Sequence, residues 1–365
     1  MTHIVCFHLY NDFSGSPIVL RMVLDGLLQH GYQVDLVTSD GGVLDTLQGR
    51  ERFRKHSYTY RFSPNPIATM LRYMAVQCYT FCLALRWAFR KDVVFYINTL
   101  LPVGPALAGR LMGKRVVYHY HENAHVKGVF YQSLAWMMQR LAHEIICVSH
   151  YQAASLAAGS KVRVVPNALP ETFVDRMRPD VQRSYDNRNI LMIASLKSYK
   201  GVREFMELSA RMPDYRFTLV LNDSQTNIND YIKTHRLEGV IGRNLTVYPR
   251  QSDVAPFYTR ASVLLNLSDR TRVIETFGMT VLEAMSAGLP VIVPTEGGVA
   301  ELVCDGENGY RIDVGDMDRI ERRLKEMFLQ KNLYIRLSEK ALQYARKFDS
   351  TSILRQIECV LEGSL

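Results

Sequence analysis

Two glutamates stand eight positions apart in "ETFGMTVLEAMSAGLPVI", Glu275 and Glu283, with a Phe-Gly step between them and an apolar run after. Thr280 followed by Glu283 reads as a capping box, in which the hydroxyl accepts an orphan backbone N–H and the glutamate reaches back to the cap residue. That predicts a helix from near Thr280 through Val281, Leu282, Ala284, Met285 and Ala287, stopping at Gly288 ahead of Pro290. Glu275 then lies on the loop that enters the helix. Such a loop presents unpaired N–H groups and the positive end of the helix dipole, which suits a phosphate. Two carboxylates beside an anion site must therefore serve something other than the anion.

A second constellation is "HENAH", His121 to His125, which satisfies the HExxH spacing of zinc hydrolases. That chemistry needs both histidines on one helical face. Here the motif directly follows the strand candidate "KRVVYHY", and Gly128 comes three residues later, leaving little room for the helix. Near the start, the loop "NDFSGS" carries Gly15 and Ser16 without a GxGxxG fingerprint, so a dinucleotide site with Asp40 on the ribose has little support.

The elements that must carry these residues alternate. A strand over 3–10, the loop, a helix over 17–30 with Ser16 as N-cap and Pro17 at its first position, and a strand over 33–38 make one β-loop-α-β unit. Apolar runs at 92–98, 114–120, 144–149 and 162–166 continue it, interleaved with helical stretches, which means a parallel sheet. A polar segment from Glu171 to Asn189 marks a boundary. The alternation then restarts with "NILMIAS", a helix over 201–212, "RFTLVLN", "NLTVYP", a helix over 253–260, "SVLLNLS" and "PVIVP". Two doubly wound α/β halves follow.

The chain's 365 residues fit two domains of roughly 150 to 200 residues each. Six cysteines show no CxxC pair and fall mostly in apolar stretches, which predicts buried thiols in a reducing compartment rather than a disulfide framework. The opening residues lack a basic region and a cleavage site, so no export signal is expected. Residues 1–170 hold 17 Lys and Arg against 9 Asp and Glu, whereas residues 171–365 hold 27 against 27, so the first half carries the whole formal charge of +8. One half expects an anionic partner. Nucleic acid is disfavoured, because zinc-finger spacing, RNA-binding aromatic motifs and basic heptads are all missing. An anionic membrane surface or a phosphate-linked acceptor fits better. Residues 67–91 are the most apolar stretch, but only 13 uncharged residues separate Arg72 from Arg86, against roughly 20 needed to span a bilayer. A domain helix, or an aromatic and basic helix lying on a membrane interface, are the two readings.

The block from 268 to 310, "SDRTRVIETFGMTVLEAMSAGLPVIVPTEGGVAELVCDGENGY", resembles the retaining glycosyltransferases of family 4, which have the GT-B architecture of two Rossmann-like domains facing a central cleft. The likeness rests on Glu275 and Glu283, Phe277-Gly278, Glu283-Ala284-Met285, Gly288, Pro290-Val291, Gly297-Gly298, Glu301, Asp305-Gly306 and Asn308-Gly309. Weaker features are "FSGSP", His121, Ser149, "VVPNA" with Asn167, and "ASLKSYKGV" with Lys200-Gly201.

The resemblance implies roles. Glu275 would bond hydroxyls of the donor sugar and Glu283 the ribose, while backbone N–H groups of Phe277, Gly278, Met279 and Thr280 meet the sugar and diphosphate. His121 would face the sugar and Lys200 the phosphates, with Gly15, Ser16 and Asn167 among the substrate contacts. Where the family commonly has Gly-Arg, this chain has Ala194-Ser195, and Lys197 is the candidate replacement for the arginine. Asn222-Asp223 stands in place of the turn glycine near the nucleobase, and Ala168 in place of the glycine after Asn167.

The implied organisation is an acceptor-binding domain over 1–170, a linker over 171–189, a nucleotide-sugar domain over 190–345, and a closing helix over 346–365 packing back on the first domain. The implied activity is metal-independent, retaining hexosyl transfer from a nucleotide-diphosphate sugar, UDP-linked, to a lipid-linked or glycan acceptor. The sugar nucleotide is a co-substrate, and no cofactor or metal is expected. The place is the cytoplasm, peripherally on the inner face of the cell membrane, in surface polysaccharide or lipopolysaccharide assembly. A zinc hydrolase, or a binding module without turnover, is the alternative.

Overall fold

The structure is a computed structural model that describes residues 2–124, 128–157 and 159–364. The chain divides into two compact units, one of residues 1–168 with 350–365 and one of residues 169–349. Each is a parallel sheet with its own core.

In the first unit the strands are β1 (His3–Phe7), β2 (Gln33–Ser39), β3 (Phe53–Tyr58), β4 (Val93–Asn98), β5 (Arg115–Tyr120), β6 (Glu144–Cys147) and β7 (Val162–Val164), in the order β3-β2-β1-β4-β5-β6-β7. Ile4 pairs with Val34 on one side and Val94 on the other, so the order reverses between β1 and β4. Open parallel sheets bind ligands at such a reversal, outside the carboxyl ends of the strands. The central strands β1 and β4 are buried along their whole length, as continuous Val, Ile and Phe runs require. The edge strand β3, "FRKHSY", had no apolar run to announce it; charged side chains on an edge discourage pairing with another chain.

In the second unit β8 (Asn189–Ala194), β9 (Arg216–Leu221), β10 (Leu245–Tyr248), β11 (Val263–Leu265), β12 (Val291–Val293) and β13 (Gly309–Arg311) lie in the order β10-β9-β8-β11-β12-β13. Its reversal falls between β8 and β11. The stretch read as a linker is instead two short helices, Glu171–Met177 and Val181–Asn187, within this unit. Asp180 caps the second by accepting the Arg183 N–H at 3.0 Å, and Met177 and Ser184 are buried, so the segment has partners despite its polar composition.

The closing helix Ser350–Glu362 belongs to the first unit. Glu358 lies 2.7 Å from His30 Nδ1, Tyr32 donates to Glu362 at 2.6 Å, and Arg115 donates to the Val360 carbonyl at 2.9 Å. Leu354 fills the space that Gly26 leaves, where a Cβ would come within 2.4 Å.

The 67–91 stretch forms the helix Pro66–Ala84, capped by Asn65, and a short turn Leu85–Trp87. Its inward face holds Tyr73, Val76, Gln77, Thr80 and Ala84. Gln77 accepts the Gly104 N–H at 2.9 Å, and Thr80 bonds the Val76 carbonyl. The outward face carries Ile67, Leu71, Met74 and Tyr79, with Leu85 and a fully exposed Phe89 beyond. Gln77 and Thr80 thus point inward among apolar neighbours, while the outward face is also largely apolar, unlike that of a water-facing helix. No helix among the described residues is long and apolar enough to cross a membrane.

Two expectations need correction here. Only Cys6 and Cys147 are buried; Cys78, Cys82 and Cys304 are exposed, the first two because they sit on that outward face or beside it. The first helix runs Gly15–Gln29 with Ser14 as N-cap, so Ser16 is inside the first turn. Asp12 holds Ser14, accepting its N–H at 2.9 Å and its hydroxyl at 2.6 Å, which sets the start two residues earlier than Pro17 suggests.

Candidate active site

At the reversal of the second sheet, the loop after β8 meets the loop after β11. The Tyr199 carbonyl accepts the Asp269 N–H at 2.8 Å, joining them. Lys200 ends a short turn, Ser198–Lys200, and its Nζ donates to Glu275 Oε1 at 2.7 Å. Asn266 Nδ2 donates to the same oxygen at 3.2 Å, and the Ser268 hydroxyl donates there too. Burial alone would favour the neutral acid, but the Lys200 charge and these three donors hold the Glu275 carboxyl below its ordinary range. The site thus contains a formed carboxylate with a lysine already on it.

The glycines around this pair have physical reasons. Gly201 has φ of 73°, and a Cβ there would stand 2.3 Å from the Leu267 carbonyl oxygen. Only glycine combines that left-handed turn with that approach. At Gly297, with φ 102°, a Cβ would stand 2.7 Å from the Glu275 carbonyl oxygen, which accepts the Gly298 N–H at 2.8 Å. Lys197 Nζ and Lys200 Nζ lie 5.9 and 5.8 Å from the centre of the Tyr199 ring. Arg272 reaches this loop from the other side, donating to the Ser198 hydroxyl at 2.8 Å.

The helix carrying Glu283 runs Met279–Ser286 with Gly278 as N-cap and no side-chain cap. The Thr280–Glu283 capping box is therefore not formed. The helix starts one residue before Thr280, and the Glu283 carboxylate turns away to accept the Tyr258 hydroxyl at 2.5 Å. Tyr258 is fully buried on the short helix Ala255–Thr259. Burial pushes the Glu283 carboxyl up to about 7, against the Tyr258 bond, which acts to lower it. Phe277 packs its ring 6.0 Å from Phe348, and the first N–H groups of the helix, from Met279 and Thr280 on, have no intrahelical partner. Gly288, with φ of 75°, adopts the left-handed conformation that ends the helix.

The first unit carries a different set. His121 follows β5, and its Nε2 lies 3.0 Å from Asn98 Oδ1 at the end of β4. Burial, followed by the neighbouring His119 and His8, holds His121 well below its ordinary pKa. Gly15 begins the helix after β1 with open space where a Cβ would go. Asn167 is buried, and its Oδ1 has no hydrogen-bond partner among the described residues.

Residues 121–124 form a loop, and the next helix opens at Val129. Glu122 accepts the Leu100 N–H at 3.2 and 3.3 Å, so HExxH lacks the helical frame that zinc ligation requires. His125 lies outside the described residues. Among the described residues no group of three His, Cys, Asp or Glu could hold a metal ion.

Two family descriptions match along the sequence: "Glycosyl transferases group 1" over residues 174–346 and "Glycosyltransferase Family 4" over residues 13–172. The chain belongs to the group 1 glycosyltransferases. Among curated relatives of this glycosyltransferase, the N-acetyl-alpha-D-glucosaminyl L-malate synthase of Bacillus anthracis is 30% identical over 60% of this chain and 58% of its own length. The lipopolysaccharide core biosynthesis glycosyltransferase LpsE of Rhizobium meliloti is 28% identical over 49% and 51%. The chain thus spans about half the length of the curated relatives it matches. Among solved structures, HepE of Anabaena in complex with UDP and glucose has a TM-score of 0.78 at 17% identity, covering 99% of this chain and all of that one. That likeness carries the GT-B fold.

Several residues of the candidate site escaped sequence reading. Asn266 and Ser268 follow the short apolar strand β11, and Tyr258 lies 25 residues before the carboxylate it meets. The one available signal is a polar residue closing a run of buried apolar ones, as in "SVLLNLS".

Proposed function

We propose that this glycosyltransferase moves a sugar, with retention of configuration and without a metal, from a UDP-linked donor to a lipid-linked or glycan acceptor. The observation that carries the reading is the Lys200–Glu275 pair at the reversal of the second sheet, with Glu283 on the helix that opens four residues after Glu275. A lysine suited to phosphate and a carboxylate suited to sugar hydroxyls stand in contact, beside N–H groups at a helix start. In this reading Lys200, Lys197 and the N–H groups of Phe277 to Thr280 stabilise the departing diphosphate. Glu283 holds the ribose, and Glu275 and His121 hold the sugar. Gly15, Ser16 and Asn167 serve the acceptor and the diphosphate. HepE in complex with UDP and glucose supports the donor class by analogy, and LpsE supports a surface-glycan setting.

The outward apolar face of the Pro66–Ala84 helix supports action at a membrane. Arg61, Arg72, Arg86, Arg90 and Lys91 flank it, which matches the anionic inner face of a cell membrane. A thermal-shift screen of the purified protein against UDP, GDP, ADP and their sugars tests the donor. A ligand at 100 times its Kd stabilises by about 2.7 kcal/mol. Stabilisation by GDP or ADP but not UDP would overturn the uridine assignment, and no transfer from any stabilising sugar nucleotide would overturn the enzyme reading.

A further inference from the structure

The carboxyl ends of β1, β4 and β5 bring three histidines round one buried amide. Asn98, fully buried, ends β4. Its Oδ1 lies 3.0 Å from His121 Nε2, and its Nδ2 lies 3.0 Å from His8 Nδ1, His8 being the residue after β1. An amide has one edge that only accepts and one that only donates. With Oδ1 on His121, the hydrogen of that bond sits on His121 Nε2, and His8 Nδ1 accepts from the other edge of the amide. The His119 ring stacks on His121 with centres 4.1 Å apart, and the Tyr96 hydroxyl lies 2.5 Å from His119 Nδ1. Asn98 pairs in the ladder with His119 and is fully buried, which limits the room its amide has.

Among the described contacts, His121 faces His8 from the end of β1, Asn98 from β4 and His119 from β5. Glu122 follows in the chain and is engaged with the Leu100 N–H, and Asp12 acts on His8. Burial first, then His119 and His8, keeps it unprotonated, and burial pushes His8 down to about 4 and His119 to about 3. A neutral imidazole has two tautomers, and which nitrogen can accept from a substrate hydroxyl depends on which is chosen.

We propose that Asn98 is a positioning residue for His121, fixing its ring and its Nε2–H tautomer, with His8 locking the other edge of the amide. The proposal rests on the reading that His121 acts on the transferred sugar. Nothing in the sequence singles out Asn98 or His8; the sheet order alone makes them neighbours.

The test uses the full chain with 15N-labelled histidine, read by long-range 15N–1H correlation, beside UDP release from UDP-glucose. Wild type should show His121 as the Nε2–H tautomer, unchanged between about pH 5.5 and 8. Asn98→Leu, which has no polar edge, should lose that single tautomer and slow turnover by about five- to tenfold at unchanged KM. Asn98→Asp puts an anion beside both rings, so His121 should take up a proton and the pH–rate profile should gain an inflection in the histidine range. His121→Ala is measured in parallel, and the Asn98→Leu/His121→Ala double variant should be no slower than His121→Ala alone. If His121→Ala is slow while both Asn98 variants keep the wild-type tautomer and rate, the positioning role is overturned and the reading of His121 stands. If His121→Ala turns over normally, the reading itself falls. Should Asn98→Leu not fold, the near-isosteric Asn98→Asp decides alone, and should UDP-glucose support no turnover, the tautomer decides.

Discussion

Lys200 Nζ donates to Glu275 Oε1 across 2.7 Å, from a loop 75 residues earlier in the chain, and both side chains are largely out of solvent. A pair held this way is preorganised, but each partner depends on the other. Removing one leaves a partly buried charge without its counterpart, which is more damaging than removing both.

Glu275→Ala should therefore destabilise the protein by about 2 to 3 kcal/mol, and Lys200→Met/Glu275→Met by less. Ligand binding separates the two roles. Lys200→Met, losing a charge-assisted bond to phosphate, should weaken UDP by about ten- to hundredfold, whereas Glu275→Gln should keep UDP affinity and lose transfer. Calorimetric titration of UDP with transfer rates checks this, and equal UDP affinity in both variants would refute the phosphate assignment.

Glu283 predicts a pH dependence. Its folded-state pKa is raised to about 7, above the ordinary carboxyl value, so the folded apo protein prefers the protonated form. The associated stability is fully present below the unfolded pKa and is lost as pH rises through 7. Ribose hydroxyls donate to the ionised form, so UDP affinity should run the other way, about tenfold weaker at pH 6 than on its plateau above 7. Glu283→Gln should remove this component of both curves, and Tyr258→Phe should move it to higher pH, because the Tyr258 bond favours the carboxylate. A wild-type difference from Glu283→Gln that does not change with pH would contradict the assignment.

Two glycines should respond oppositely to alanine. Gly201→Ala places a Cβ against the Leu267 carbonyl in a left-handed turn and should cost about 2 kcal/mol or more. Gly15→Ala meets open space at ordinary φ in a helix, so its melting temperature should hold or rise. Loss of transfer in a fully stable Gly15→Ala protein would then report close approach of substrate to that backbone; full activity would remove Gly15 from the site.

The outward apolar face of the Pro66–Ala84 helix predicts salt-sensitive sedimentation with vesicles containing an anionic phospholipid. Leu71→Asp/Phe89→Asp should abolish it without changing UDP affinity, since Leu71 and Phe89 are exposed. Each flanking Arg or Lys contributes about 1 kcal/mol near such a surface. Equal sedimentation with neutral vesicles, or none, would end the membrane reading.

Local chemistry made much of this protein legible before its structure. Continuous apolar runs announced the central strands β1, β4, β5, β8 and β9, because a doubly covered parallel strand must be apolar on both faces. Gly288 marked a turn whose left-handed φ the fold needs, whereas Gly201, read as the first residue of a helix, proved to be a left-handed N-cap. The spacing of Glu275 and Glu283 pointed to the site. Elsewhere local signals were overruled by distant partners. Glu283 has the sequence of a cap, yet its carboxyl accepts from a buried tyrosine 25 residues away instead of closing the helix start. The polar segment 171–189 reads as a linker until Asp180 finds its N–H and Met177 its core. Charged β3 is a strand only because β2 supplies its ladder. Asn98, His8, Asn266 and Ser268 were illegible for one reason: each closes or shortly follows a strand, and what a strand end touches depends on the order in which strands pair. Patterning along the chain dictates which residues are buried in strands, whereas sheet order, a relation between segments tens of residues apart, decided which polar ends meet.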